Sequence, residues 1–266
     1  MSALLFARAV ACVLATSPDD KLALTRATAE AFARGELSMD GAGVEPDPIG
    51  EPGRPARPRL VHPREVAHRG LGTPIGRAAF VHAIAHIEFN AINLAWDAAY
   101  RFRGMPRDFY ADWISIAADE ARHFAMLRAR LRELGHDYGD FDAHDGLWEM
   151  AVKTAGSCRE RMALVPRVLE ARGLDVTPGM IARLRDVGDA ETIAILEVIL
   201  REEVAHVAAG SRWFRWCCAD EGIEPEAEFA RLLALHARGA LRGPVNLEAR
   251  RAAGFTESEL QGLQPF

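Results

Sequence analysis

Apolar residues recur at helical spacing along most of this chain, and strand-type alternation is not sustained anywhere. The pattern predicts an all-α protein. Ala3 to Ala15 is apolar, interrupted by Arg8, and reads as a packed helix. Ser17-Pro18-Asp19-Asp20 starts a second helix reaching about Ala33, with a capping hydroxyl, a first-turn proline and acids at the positive end of the dipole. From Gly35 to Thr73 the composition shifts to Pro, Gly and Arg, as in Glu51-Pro52-Gly53-Arg54-Pro55, and periodicity vanishes. This predicts a long extended connection, wrapped on the domain or partly mobile.

Thr73-Pro74 opens a helix to roughly Phe102, and Gly104-Met105-Pro106 turns the chain into another that ends before Gly135. The stretch Gly135 to Gly146 is rich in Gly, Asp and His, and its length suits a crossover rather than a hairpin. A third bundle helix is expected after Asp145, kinked or broken at Pro166 and carrying Glu170 close to its end. A short helix after Thr177-Pro178 then leads to Gly188-Asp189 and a long fourth helix to about Asp220. One amphipathic segment, Pro225 to Arg238, a Gly-Pro loop and a short helix near Thr256 to Leu260 finish the chain. The organisation expected is an N-terminal helical extension (1–34), a Pro/Gly-rich linker (35–73), a helical bundle (74–221) and a helical tail (222–266).

Candidate chemistry lies in two copies of Glu-x-x-His, Glu120/His123 and Glu203/His206, each preceded by a Glu in another apolar helix, Glu88 and Glu170. Residues three apart project from the same side of a helix, so each pair can bind one metal while its Glu reaches toward a second. Four ionised carboxylates match two divalent cations, which gives a reason for tolerating them in a helical core. A metal ligand must also face inward. Glu88 shares a stripe with Ile84, Ala85, Ala91, Ile92 and Ala95; Glu120 and His123 align with Trp113, Ile116, Ala117, Phe124, Leu127 and Leu131. Glu203 and His206 share a side with Leu196, Ile199, Leu200, Val207 and Gly210.

His82, His86, Asn90, Asn93 and Asp97 form a different, polar stripe, and His86 diverges from Glu88 by about 200°. That stripe is expected to be solvated or to touch the linker. Glu202 rivals Glu203, but only Glu203 has a histidine three residues later. Glu149 and Glu160 rival Glu170, whose placement near a negative helix end favours a cation beside it. Asp119, Arg122, Glu202 and Arg172 adjoin the ligands in sequence and are expected chiefly in salt bridges. Trp96, Tyr100, Tyr110 and Trp113 read as core packing, and Arg128, Arg130 and Arg132 as a solvated charged run.

In the order Glu88, Glu120-x-x-His123, Glu170, Glu203-x-x-His206 the chain resembles the ferritin-like di-metal carboxylate superfamily. The stretches His82-Ala-Ile-Ala-His-Ile-Glu88, Ala118-Asp-Glu-Ala-Arg-His123, Val165-Pro-Arg-Val-Leu-Glu-Ala-Arg172 and Arg201-Glu-Glu-Val-Ala-His206 are similar to a bacterial ferritin-like family of unknown function. Glu170-Ala-Arg172, a short helix and then Glu-x-x-His is more distantly similar to the non-haem di-iron tRNA hydroxylase that acts on prenylated, methylthiolated adenosine. The resemblance implies a ferritin-like four-helix bundle holding two metal ions, iron first and manganese second. In it Glu120 and Glu203 bridge, Glu88 and Glu170 are terminal ligands, and His123 and His206 fix one metal each. The implied activity is an O2- or peroxide-dependent oxidoreductase, a hydroxylase or oxidase acting on a small organic substrate with electrons from a separate reductase. A metal-storing or peroxide-consuming bundle is the alternative, and a scaffold with a vestigial site is the third reading.

Composition narrows the partners. The 266 residues are 49% hydrophobic, enough for a large core, and the net charge of −6 gives no general attraction to RNA or acidic membranes. A tRNA substrate is kept only by analogy. The four cysteines, Cys12, Cys158, Cys217 and Cys218, show no C-x-x-C or disulfide spacing, which suits the cytoplasm and argues against a thiolate-rich metal site. The opening apolar segment lacks a basic flank and is too short to span a membrane, and the residues before Cys12 do not suit a lipoprotein signal.

Overall fold

Helix caps set the boundaries of the long elements. In a computed structural model, which describes residues 3–236 and 243–263, Ser17 accepts a hydrogen bond from the Asp20 N–H and starts α2 (Pro18–Ala33), which follows α1 (Leu5–Leu14). Thr73 accepts from the Gly76 N–H at 3.1 Å and starts α3 (Pro74–Arg101). Gly104, at φ +81°, turns the chain into α4 (Arg107–Glu133). The described chain is helical apart from a two-residue parallel strand pair, β1 (Ala3–Leu4) with β2 (Leu37–Ser38), irregular links, and a long irregular connection over 39–73 that holds one 3-10 turn, Pro63–Glu65. No helix among the described residues is long and apolar enough to cross a membrane.

The chain divides into two compact units, Met1–Glu149 and Met150–Phe266. In the first, α3 and α4 pack along their length, α1 lies on α3 and α2 on α4, so the N-terminal helices belong to that unit's core. Lys21 joins them. Its ammonium is fully buried and donates to the carbonyls of Cys12 and Val13, which end α1, and to Asn93 Oδ1 on α3 at 2.6 Å. A donor there helps satisfy the carbonyls at the end of α1.

The connection between α2 and α3 is wrapped on the unit. Gly53 donates to the Val13 carbonyl at 2.8 Å, Arg54 pairs with Asp145 at 3.0 Å, and the Trp148 indole donates to the Gly50 carbonyl. Leu60 bridges to Ala143, and Arg59 pairs with Asp142. The region after α4 therefore holds the linker down.

That same region covers the polar stripe of α3, which is not solvated. His82 and His86 are only 1% and 6% exposed. The Gly139 N–H donates to His82 Nε2 at 3.0 Å, and His86 bonds the Tyr138 hydroxyl and the His144 carbonyl. The histidines meet the crossover rather than the 35–73 linker, because these partners, two backbone groups and the Tyr138 hydroxyl, belong to a loop laid across α3. The arginine run of α4 also differs from a solvated row. Arg128 is mostly buried and links Asp137 of the crossover to Asp19 of α2, and Arg132 joins it at Asp137.

In the second unit the chain breaks at Thr154–Ser157, between α5 (Gly146–Lys153), which spans the division, and α6 (Cys158–Leu164), rather than at Pro166. Ser157 caps α6 by accepting from the Glu160 N–H. Pro166 is taken up in a π turn, Val165–Glu170, that runs without a gap into α7 (Ala171–Asp186). An α-helical register would set the proline ring against the carbonyl four residues back; the wider turn avoids this, and Ala171 N–H bonds the Pro166 carbonyl instead. Glu170 is thus not near a helix end, and the dipole argument for a cation beside it falls.

No helix starts at Thr177-Pro178 either, since Pro178 lies inside α7. The Leu174 carbonyl that this proline leaves without a donor accepts instead from Asn246 Nδ2, at 3.2 Å. α8 (Ala190–Asp220) starts at the Asp189 cap and packs on α6, the π turn and α7. α9 (Pro225–His236) follows; the expected helix end at Arg238 lies outside the described residues. An additional short helix, α10 (Leu247–Ala252), capped by Asn246, precedes α11 (Glu257–Leu263).

Burial pulls the pKa of His82 from 6.5 to about 4. Between these values the unfolded chain binds a proton that the folded chain does not, so stability falls as pH drops through that window. The loss expected from this residue is on the order of 3 kcal/mol. Urea unfolding at pH 7 and pH 4.5 checks it: His82→Gln, which keeps an acceptor for Gly139, should show a smaller acid loss. Equal losses in the two proteins would contradict the assignment.

Candidate metal centre

The hairpin of α3 and α4 brings Glu88, Glu120 and His123 together. They are 4%, 1% and 0% exposed, and each offers a ligand atom within 4.8 Å of the others. His123 Nδ1 lies 3.1 Å from Glu88 Oε2 and 3.5 Å from Glu120 Oε2. The spacing within α4 puts Glu120 and His123 on one side, and packing against α3 supplies Glu88.

Burial alone would favour neutral imidazole, but the hydrogen bonds and charges of Glu120 and Glu88 outweigh it and raise His123 to about 11. The protonated ring lies between the two buried carboxylates and offsets part of their charge. A divalent cation in place of the proton would match the charge of both carboxylates. Two carboxylates and an imidazole are a donor set suited to iron, manganese or zinc, so these residues fit a metal.

The second unit repeats the pair. On α8 Glu203 and His206 are 8% and 2% exposed, with His206 Nδ1 3.4 Å from Glu203 Oε1. Neighbouring Glu202 is less buried than Glu203. Glu170 ends the π turn that packs on α8, and it is half-buried with Oε2 shielded from solvent. Of its rivals, Glu149 is exposed and Glu160 stands in the first turn of α6.

The remaining residues of interest have identifiable roles in packing and pairing. Asp119 and Arg122 form a partly exposed salt bridge at 2.8 Å, and Arg172 bonds Asp175 and the Pro244 carbonyl. Trp96 donates to Thr25 Oγ1, Tyr110 donates to the Phe102 carbonyl, and Tyr100 and Trp113 are buried. His82 and His86 are bound to the crossover as described.

Spacing places Gly210, one helical turn after His206, on the inward stripe, but does not reveal its packing role. A Cβ there would lie 2.4 Å from Pro166 Cγ, so glycine is what lets the π turn seat on α8. Glycine inside a long helix is unfavourable by itself, and that was the available signal.

Removing His123 should expose the cost of the carboxylate pair. In chelator-treated protein His123→Ala is expected to lose about 3–5 kcal/mol in urea unfolding, and adding Glu88→Gln should restore part of it. A His123→Ala protein as stable as the parent would contradict the coupling.

Comparison with known proteins gives a family without a stated activity. A protein from Haemophilus influenzae (strain ATCC 51907 / DSM 11121 / KW20 / Rd), described as "Uncharacterized protein", is 45% identical over 216 residues, covering 79% of this chain and 75% of that one. No solved structure matches. The model of a family described as "Protein of unknown function (DUF455)" matches residues 14–261, and the chain belongs to that family.

Proposed function

We propose that this chain is a di-metal carboxylate protein acting as an O2- or peroxide-dependent oxidoreductase, a hydroxylase or oxidase of a small organic substrate. The observation that carries the reading is the buried Glu88–His123–Glu120 group, together with its counterpart Glu203–His206 on α8. In this proposal the α3–α4 pair and the helices of the second unit form a ferritin-like four-helix bundle. Glu120 and Glu203 would bridge two metals, Glu88 and Glu170 would be terminal ligands, and His123 and His206 would each hold one metal.

Imidazole and carboxylate donors favour iron, with manganese second. When bound in the reduced state, such a centre supplies electrons to dioxygen or peroxide. The protein residues hold the charge: four carboxylates and two neutral imidazoles around two dications sum to no net charge. Electrons would come from a separate reductase. The net charge of −6 favours a small substrate over tRNA. Four free thiols support a cytoplasmic setting.

The test is metal analysis of protein from iron-supplemented cells, followed by anaerobic reduction and exposure to oxygen. The expected result is two metals per chain, an oxygen-dependent optical change, and loss of both in Glu203→Ala. Uptake of many irons per chain into a large oligomer would favour metal storage and overturn the oxidoreductase reading. Metal-free protein after this treatment would overturn both.

A further inference from the structure

We infer that the C-terminal tail is a clamp on the π turn, and that Arg167 is the positioning residue through which it sets Glu170. The inference rests on Glu170 being a metal ligand, as proposed above. Its physical basis is a buried cation with an unusual set of neighbours.

Arg167 is 1% exposed, three residues before Glu170 in the same π turn. Its guanidinium lies 4.0 Å from the ring centre of Phe229 on α9, 4.5 Å from Phe255, which lies between α10 and α11, and 4.8 Å from Phe214 on α8. Among the described residues the carboxylate of Glu259, on α11, pairs with it at 2.7 Å. Burial pushes its pKa down against the attraction of Glu259. An apolar side chain would fill a space walled by three phenylalanines at lower cost, so a charge kept there serves specificity rather than stability.

The π turn needs such specificity. Reverting it to α-helical register would remove one residue from the turn and rotate Glu170 by about 100°. Pro166 opposes that change from within. From outside, the turn is gripped on two sides. Pro166 seats against Gly210 of α8, and the tail holds Arg167. Arg250 of α10 adds a long contact, 3.5 Å, to the Arg167 carbonyl while making a two-pronged ion pair with Asp175 of α7 at 2.9 and 2.7 Å. The tail thus binds the segments before and after Glu170. The three rings and Glu259 surround the guanidinium, and in this inference that grip sets the side on which Glu170 emerges.

The experiment uses the full chain with two readouts. Hydrogen exchange of residues 165–171 in metal-free protein tests the clamp; Co(II) titration, followed by stoichiometry and visible absorption, tests its link to Glu170. Arg167→Met keeps apolar volume and removes the cation; Glu259→Gln is the milder variant that serves if the first fails to fold. Leu131→Ala, in the other unit, controls for lost stability. Faster exchange at 165–171 and a roughly 10–100-fold loss of affinity for one of two cobalt ions are expected in both clamp variants, with Leu131→Ala unaffected. Unchanged exchange overturns the clamp. Faster exchange with unchanged cobalt binding overturns the positioning of Glu170. A parent protein that binds no cobalt overturns the metal reading and the positioning role, while exchange still decides the clamp.

Discussion

Carboxylates can remain ionised inside a helical core only where something cationic meets them. Glu88 and Glu120 are almost without solvent, and the imidazole between them is drawn into its charged form by their presence. The packing of α3 on α4 is therefore bound to an electrostatic condition, which a metal ion held by the same residues would also meet. Glu203 and His206 place a second pair of the same kind in the interior of α8.

The peripheral elements read as bracing for the segments that carry these buried groups. In the first unit Lys21 ties α1 and α2 to α3, while the crossover lies on His82 and His86 and anchors the linker. In the second, Asn246 and Arg250 take up the groups left by the proline-containing α7 and the turn before it. Both units use cations and amides to satisfy backbone or carboxylate groups where regular helix hydrogen bonding stops.

Much of this was legible in the sequence because it depends on local chemistry. Ser17, Thr73 and Asp189 cap the helices they were expected to cap or lead into, and the apolar stripe around Glu88 is buried. What failed depends on tertiary partners. A polar stripe reads as wet unless a loop is known to cover it, so His82 and His86 were misplaced. Prolines read as breaks unless another segment supplies the missing donor or the helix widens. Pro178 is tolerated with Asn246, distant in sequence, bonding the freed carbonyl, and Pro166 by the π turn. Periodicity also could not show α10, which is short and held by the buried Arg250–Asp175 pair.

The central claim is that the two Glu-x-x-His pairs act as one two-metal centre. The most direct measurement is anomalous diffraction at the iron edge from crystals of the iron-loaded protein. The account predicts two adjacent metal peaks per chain, one bound by His123 and the other by His206, sharing Glu120 and Glu203. Peaks bound elsewhere, or a single metal held by Glu88, Glu120 and His123 without Glu203 or His206, would contradict it.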